Sequence, residues 1–174
     1  MHGADVVVVR RPGEHAGASA DAAVTDVPGC TLAVRTADCA PIVLVGRRSV
    51  AVVHAGWRGL LAGVVERAAD ALRHIGDEPQ AAHVGPCIRP GCYEFDGADL
   101  ARLVERFGPG AQATTMWGTP AFDLPRSVSV ALAEAGVPAV HDTSGCTACD
   151  ERWFSHRARA EPGRFATCAW LEER

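Results

Sequence analysis

Cys39 and His54 are the two residues whose type and spacing most directly suggest chemistry. Cys39 lies in Thr36-Ala37-Asp38-Cys39-Ala40-Pro41, with a carboxylate beside the thiol and a proline fixing the exit. His54 opens His54-Ala55-Gly56-Trp57-Arg58-Gly59, where small residues leave room around two large polar ones. A β-rich run follows Cys39 (Ile42 to Val45) and another ends on His54 (Val50 to His54). Gly46-Arg47-Arg48-Ser49 between them is a hairpin signature. A hairpin brings its two ends together, so the spacing predicts that Cys39 and His54 are neighbours. Such a pair makes either a thiolate–imidazole dyad or two ligands of a metal; the alternative for Cys39 alone is a cysteine buried in a turn. His2 is the candidate third ligand if the strand after it starts at the same sheet edge. Cys-His-His with an open fourth position suits a catalytic zinc, and thiolate with imidazole also suits copper.

Other segments carry reactive groups. The Gly-x-x-Gly turn after His54 opens a helix, which puts Arg58 near a helix N-terminus, where N–H groups and a guanidinium favour phosphate or carboxylate. Gly85-Pro86-Cys87-Ile88-Arg89-Pro90-Gly91-Cys92-Tyr93-Glu94 reads as a strand end and a stiff loop, with Cys87 and Cys92 too far apart for a CxxC knuckle. Cys146-Thr147-Ala148-Cys149 is a lone CxxC; a zinc ribbon needs a second pair at matching spacing, and the sequence has none. Trp153-Phe154-Ser155-His156-Arg157 sets polar groups beside aromatics and could line a cleft.

The elements that must position these groups follow from periodicity. Strands are expected over Ala4 to Arg10, Thr31 to Arg35, the hairpin, Ala81 to Gly85, Val137 to His141 and Arg164 to Leu171, with Pro12 to Ala20 a loop. Leu60, Leu61, Val64, Val65, Ala68 and Leu72 recur at helical steps, predicting one amphipathic helix that Gly76 can stop. Asp99 to Phe107 and Leu124 to Ala135 read as further helices. Strands dominate early and mix with helices later, which predicts an α+β or mixed α/β sandwich and not a regular βαβ alternation.

Composition removes whole classes of function. The 174 residues suit a single domain, 1–174, able to bury a core without a disulfide or metal. All 17 Lys+Arg residues are arginine, which excludes Schiff-base lysine chemistry and a P-loop. A net charge of −4 argues against a sequence-independent nucleic-acid binder. No apolar run reaches the length of a membrane span, and Met1 to Asp5 lacks the marks of a signal peptide. With seven cysteines, an odd count, this points to a reducing cytoplasm. Nothing in the sequence sets the oligomeric state.

Taken together, the Thr36–Pro41 and His54–Gly59 segments, with Gly85-Pro86-Cys87-Ile88 through Cys92-Tyr93-Glu94, resemble the YfiH-type laccase-domain family, from His2-Gly3 to the last strand. Members have been called polyphenol oxidases, purine nucleoside phosphorylases and peptidoglycan editing factors. The resemblance implies a mixed-sheet α/β sandwich. It implies a zinc on the histidine of a Gln-x-His-Gly motif, the cysteine of Thr-Ala-Asp-Cys and the histidine of His-Ala-Gly-Trp-Arg-Gly: here His2, Cys39 and His54. It implies phosphorolysis of adenosine, inosine or methylthioadenosine, with adenosine deamination also attributed to the family. The partners would be a purine nucleoside and phosphate, with Arg58 holding the phosphate and Asp38 a candidate acid or base. Two departures stand out. Members carry a region before the Gln-x-His-Gly motif, so a ligand at position two would sit where chain ends fray. The family's Ser-x-Arg-Arg-Asp reads Ser155-His156-Arg157-Ala158-Arg159 here, which alters substrate contacts at that edge. The rivals are a Cys39–His54 amide hydrolase acting in peptidoglycan editing, a copper-dependent oxidase, and an inactive metal-binding fragment.

Overall fold

The computed structural model describes residues 2–172. Its centre is the expected hairpin, β4 (Ala40–Val45) against β5 (Val50–Ala55), antiparallel with Pro41 opposite His54 and Val45 opposite Val50. Around it, β1 (Val6–Val8), β2 (Ala22–Thr25), β6 (Ala81–Val84) and β9 (Val140–Asp142) complete a six-stranded mixed sheet, order β1-β2-β5-β4-β6-β9. The β1–β2 and β6–β9 pairs are parallel and the rest antiparallel. A ribbon of β3 (Leu32–Thr36) and β10 (Phe165–Ala169) forms a second layer, and β7 (Gln112–Thr114) pairs with β8 (Pro120–Phe122).

The two-residue side-chain period of β5 divides the core. Ala51, Val53 and Ala55 face helices α2 (Val64–His74), α3 (Gly97–Phe107) and α4 (Leu124–Glu134), in one cluster with Leu72, Leu103, Phe122 and Leu132. Val50 and Val52 face the ribbon, in a second cluster with Leu32, Val34 and Ala169. His54 has the parity of Val50 and Val52, so it points toward the ribbon. Fully burying each large apolar side chain contributes roughly 1.5–3 kcal/mol, and both layers depend on that burial.

Several local features differ from the sequence expectation. The stretch after His54 is two helices, α1 (Trp57–Leu61) and α2, because Gly63 adopts φ 77° and turns the chain between them. Strand β2 follows the Pro12–Ala20 loop directly, and the β7–β8 pair forms where no strand is expected. The strand expected at Val137 begins at Val140. Helix α4 starts where expected, with Asp123 capping it by accepting a bond from the N–H of Arg126.

Candidate functional site

The open end of the β4–β5 hairpin brings Cys39 and His54 together, as the turn predicts. Because β1 is parallel to β2 and β2 antiparallel to β5, the start of β1 lies at the same edge, and His2 joins them. One ligand atom from each of His2, Cys39 and His54 lies within 4.8 Å of the others. The two imidazoles are 5.3 Å apart by ring centroid. The glycines of His54–Gly59 make the space: a Cβ on Gly56 would lie 2.9 Å from Cys39 Sγ and 3.3 Å from His2, and one on Gly59 would meet the Gly3 carbonyl at 2.9 Å. Two imidazole nitrogens and one sulfur around a cradle kept open by a glycine are a donor set that fits a borderline-soft transition-metal ion.

Asp21 supplies the orientation. Its carboxylate is buried, with Oδ1 3.2 Å from His54 Nδ1 and Oδ2 accepting the Gly3 N–H at 2.9 Å. A carboxylate on Nδ1 leaves His54 Nε2 free to ligate. The same Asp21 holds the segment that carries His2. Desolvation lowers the pKa of both histidines; the neighbouring His54 pushes His2 further down, while Asp21 partly offsets the shift on His54. Both imidazoles are therefore neutral at neutral pH, the form that binds metal. Burial, with Asp38 beside it, pushes the Cys39 thiol up to about 12. That disfavours a free thiolate nucleophile, whereas a bound cation would deprotonate the thiol.

Asp38 sits in the left-handed region at φ 90°, a conformation that costs a side-chain-bearing residue about 1–3 kcal/mol. Its carboxylate is buried and accepts bonds from the hydroxyls of Thr147 and Ser155, both at 2.7 Å, and from the N–H of Arg157 at 2.6 Å. These bonds fix the turn that presents Cys39. The carboxylate is thus a clamp on the loop around residues 147–157, and it keeps little free lone-pair capacity.

Arg58 is exposed, and its guanidinium lies over the Trp57 ring at 4.2 Å. No carboxylate of the described residues pairs with it. Helix α1 has only five residues, so the guanidinium carries any anion recognition and the helix dipole adds little. Between sheet and ribbon, a cleft of about 850 Å³ reaches His54, Asp21, Arg35 and Arg164. A second, of about 550 Å³, is lined by Cys92, Glu94, Trp117 and Arg157. Of the remaining cysteines, Cys30 and Cys87 are fully buried. Cys92 meets the CxxC pair, with its sulfur 3.0 Å from that of Cys149.

The family described as multi-copper polyphenol oxidoreductase laccase matches residues 1–172. The chain belongs to that family. A relative from Mycobacterium tuberculosis, named purine nucleoside phosphorylase, is 38% identical over 99% of this chain and 70% of its own length. One of the same name from Streptomyces coelicolor is 39% identical over 99% of this chain and 73% of its own. Among solved structures, YlmD from Geobacillus stearothermophilus superposes with a TM-score of 0.85 at 32% identity, covering 99% of this chain and 71% of that one. YfiH from Bacillus licheniformis gives 0.86 at 27% identity, covering 99% and 72%. The mixed α/β sandwich is therefore the family fold.

Sequence reasoning missed Asp21 and Arg164, and it named Thr147 and Ser155 only as members of their segments, without their bonds to Asp38. An acid flanking a short β run was the available signal for Asp21. The other three converge on the site only through tertiary contacts.

Proposed function

We propose that the chain is a zinc-dependent purine nucleoside phosphorylase, acting on inosine, adenosine or methylthioadenosine. The observation that carries this reading is the His2–Cys39–His54 donor set beside the guanidinium of Arg58, with which no carboxylate among the described residues pairs. The names of the relatives support it. A zinc held by these three residues would supply a Lewis acid able to polarise a hydroxyl or activate water. The rest is work for the chain's own side chains. Asp21 fixes the tautomer of His54. Arg58 binds and orients phosphate, and Arg164, which lines the same cleft as His54, adds positive potential there. In the reaction a phosphate oxygen bonds to C1′ of the ribose as the C1′–N9 bond breaks. The electron pair leaves with the purine, and the proton of hydrogen phosphate ends on that base. Asp38, with three donors on its carboxylate, is a positioning residue for Cys39 and not the acid or base that its place beside the thiol suggests.

Adenosine deamination is compatible with the same donor set, with water in place of phosphate. A copper oxidase has less support. Reducing oxygen by four electrons takes several coppers, and this is the one group of three or more candidate ligands with an imidazole among the described residues. An amide hydrolase using Cys39 is disfavoured by a thiol pKa of about 12. No helix among the described residues is long and apolar enough to cross a membrane, and seven free thiols fit a reducing cytoplasm.

The test is mass spectrometry of products from a nucleoside panel with zinc-loaded protein, with and without phosphate. Ribose 1-phosphate formed only with phosphate is the expected result, and Arg58→Ala should raise the KM for phosphate by about tenfold or more. Turnover independent of phosphate would overturn the phosphorylase reading. An unchanged KM would remove Arg58 from phosphate binding.

A further inference from the structure

The CxxC at 146–149 lacks a partner pair in sequence but not a partner in space. One sulfur from each of Cys92, Cys146 and Cys149 lies within 4.8 Å of the others. Two parallel features bring them together. Cys146 is bridged to Cys87 beyond the parallel β6–β9 pair, through Cys87 N–H to the Gly145 carbonyl and Thr147 N–H to the Cys87 carbonyl, both 3.2 Å. Arg89 then ties the two loops, donating to the Gly145 carbonyl and gripping the Asp142 carboxylate with both terminal nitrogens. The short 3-10 turn Pro90–Cys92 follows, and it delivers the Cys92 sulfur to the CxxC turn. On the far side, Arg159 donates to the carbonyls of Thr147 and Ala148 and holds that turn in place.

These three thiols differ from packing cysteines. Cys30 and Cys87 are sealed in the core, whereas Cys92 and Cys146 are half-buried and Cys149 is exposed. The cluster opens at the edge of the 550 Å³ cleft, which Cys92 and Ala148 both line. We infer that Cys92, Cys146 and Cys149 form a second metal site, a three-thiolate seat for a thiophilic d10 cation such as zinc, separate from the His2–Cys39–His54 centre. Tetrahedral zinc with sulfur at about 2.3 Å sets its thiolates about 3.8 Å apart. The cluster reaches that spacing by small side-chain rotations, chiefly by opening the 3.0 Å Cys92–Cys149 contact. A fourth position then faces the cleft. Binding releases the thiol protons to solvent and changes no oxidation state. The site is a clip: it fixes Thr147, whose hydroxyl holds Asp38, which in turn positions Cys39.

The inference does not rest on the phosphorylase reading, and its test needs no substrate. Fully reduced protein is loaded with zinc, desalted and analysed for metal, as wild type, Cys39→Ser, Cys149→Ser and the double variant. The expected contents are two zinc ions, one, one and none. Cobalt loading gives an independent signature. Cys39→Ser should keep the intense sulfur-to-cobalt absorption of a three-thiolate site, and Cys149→Ser should lose most of it. A single zinc in reduced wild type that Cys149→Ser leaves in place would overturn the inference. So would a reduced protein that binds no second zinc and forms a Cys92–Cys149 disulfide in air, which would make the cluster a redox pair. Because Cys149 is exposed, its serine variant is expected to fold.

Discussion

Asp21 and His54 are 33 positions apart in sequence, and Asp21 Oδ1 lies 3.2 Å from His54 Nδ1 across the β2–β5 pair. The backbone repeats the link, because the His54 N–H donates to the Asp21 carbonyl at 2.7 Å. One residue thus sets the height of His54 in the sheet and the direction of its ring. Asp21→Asn should lower zinc affinity by about 10–100-fold, the usual cost of losing a carboxylate behind a histidine ligand. Competition with a chromogenic chelator measures it. Unchanged affinity would show that packing alone orients His54.

Gly56→Ala separates steric room from folding. Gly56 has φ −90°, which alanine adopts without strain, so the added methyl acts through its 2.9 Å approach to Cys39 Sγ and its 3.3 Å approach to His2. The variant should keep its circular dichroism spectrum and lose most of the zinc at the His2–Cys39–His54 centre. Metal analysis in a Cys149→Ser background reads that centre alone. Full occupancy would mean that the sulfur has somewhere else to go.

Thr147→Val tests the clamp on Asp38. The substitution keeps the shape and removes a buried donor from a carboxylate that stays buried, which costs about 1–3 kcal/mol. Urea unfolding should show a lower midpoint with an unchanged slope. No loss would mean that Ser155 and the Arg157 N–H suffice to hold the turn.

Asp77 fastens the other end of the hairpin. Burial works against its charge, but the N–H of Arg48, the hydroxyl of Ser49 and the N–H of Glu78 outweigh it and hold the carboxyl below its ordinary value. The unfolded chain therefore binds the proton more readily than the folded one. The stabilisation is fully present above about pH 4, the usual aspartate value, and is lost as pH falls through the lower folded value. Asp77→Ala should remove that part of the acid sensitivity and cost about 1–3 kcal/mol at neutral pH. Urea midpoints at several pH values measure both.

The site was readable where it is local. Gly46 to Ser49 between two β-rich runs predicts a hairpin, and a hairpin alone makes Cys39 meet His54. Asp21 was hidden because β2 is four residues long and alanine-rich, and it gains its strand identity only by pairing with β1 and β5. The break at Gly63 was hidden because apolar spacing continues in step on both sides of it. Of the three-cysteine cluster only the CxxC pair is local: Cys92 and Cys149 are 57 positions apart, and they meet through a parallel strand pair and one arginine.

Strand β5 alternates between the helical layer and the ribbon, and His54 shares its side with Val50 and Val52. The ligand is thereby phase-locked to the core. A residue inserted between Val50 and His54 would turn the imidazole into the helical layer and send a core side chain toward His2 and Cys39. A residue added at the Arg47–Arg48 tip would leave the phase intact and disturb only the grip of Asp77. Tolerance to insertion along this hairpin should therefore fall abruptly from tip to open end, and chain length between turn and ligand is as tightly constrained as the identity of the ligand itself.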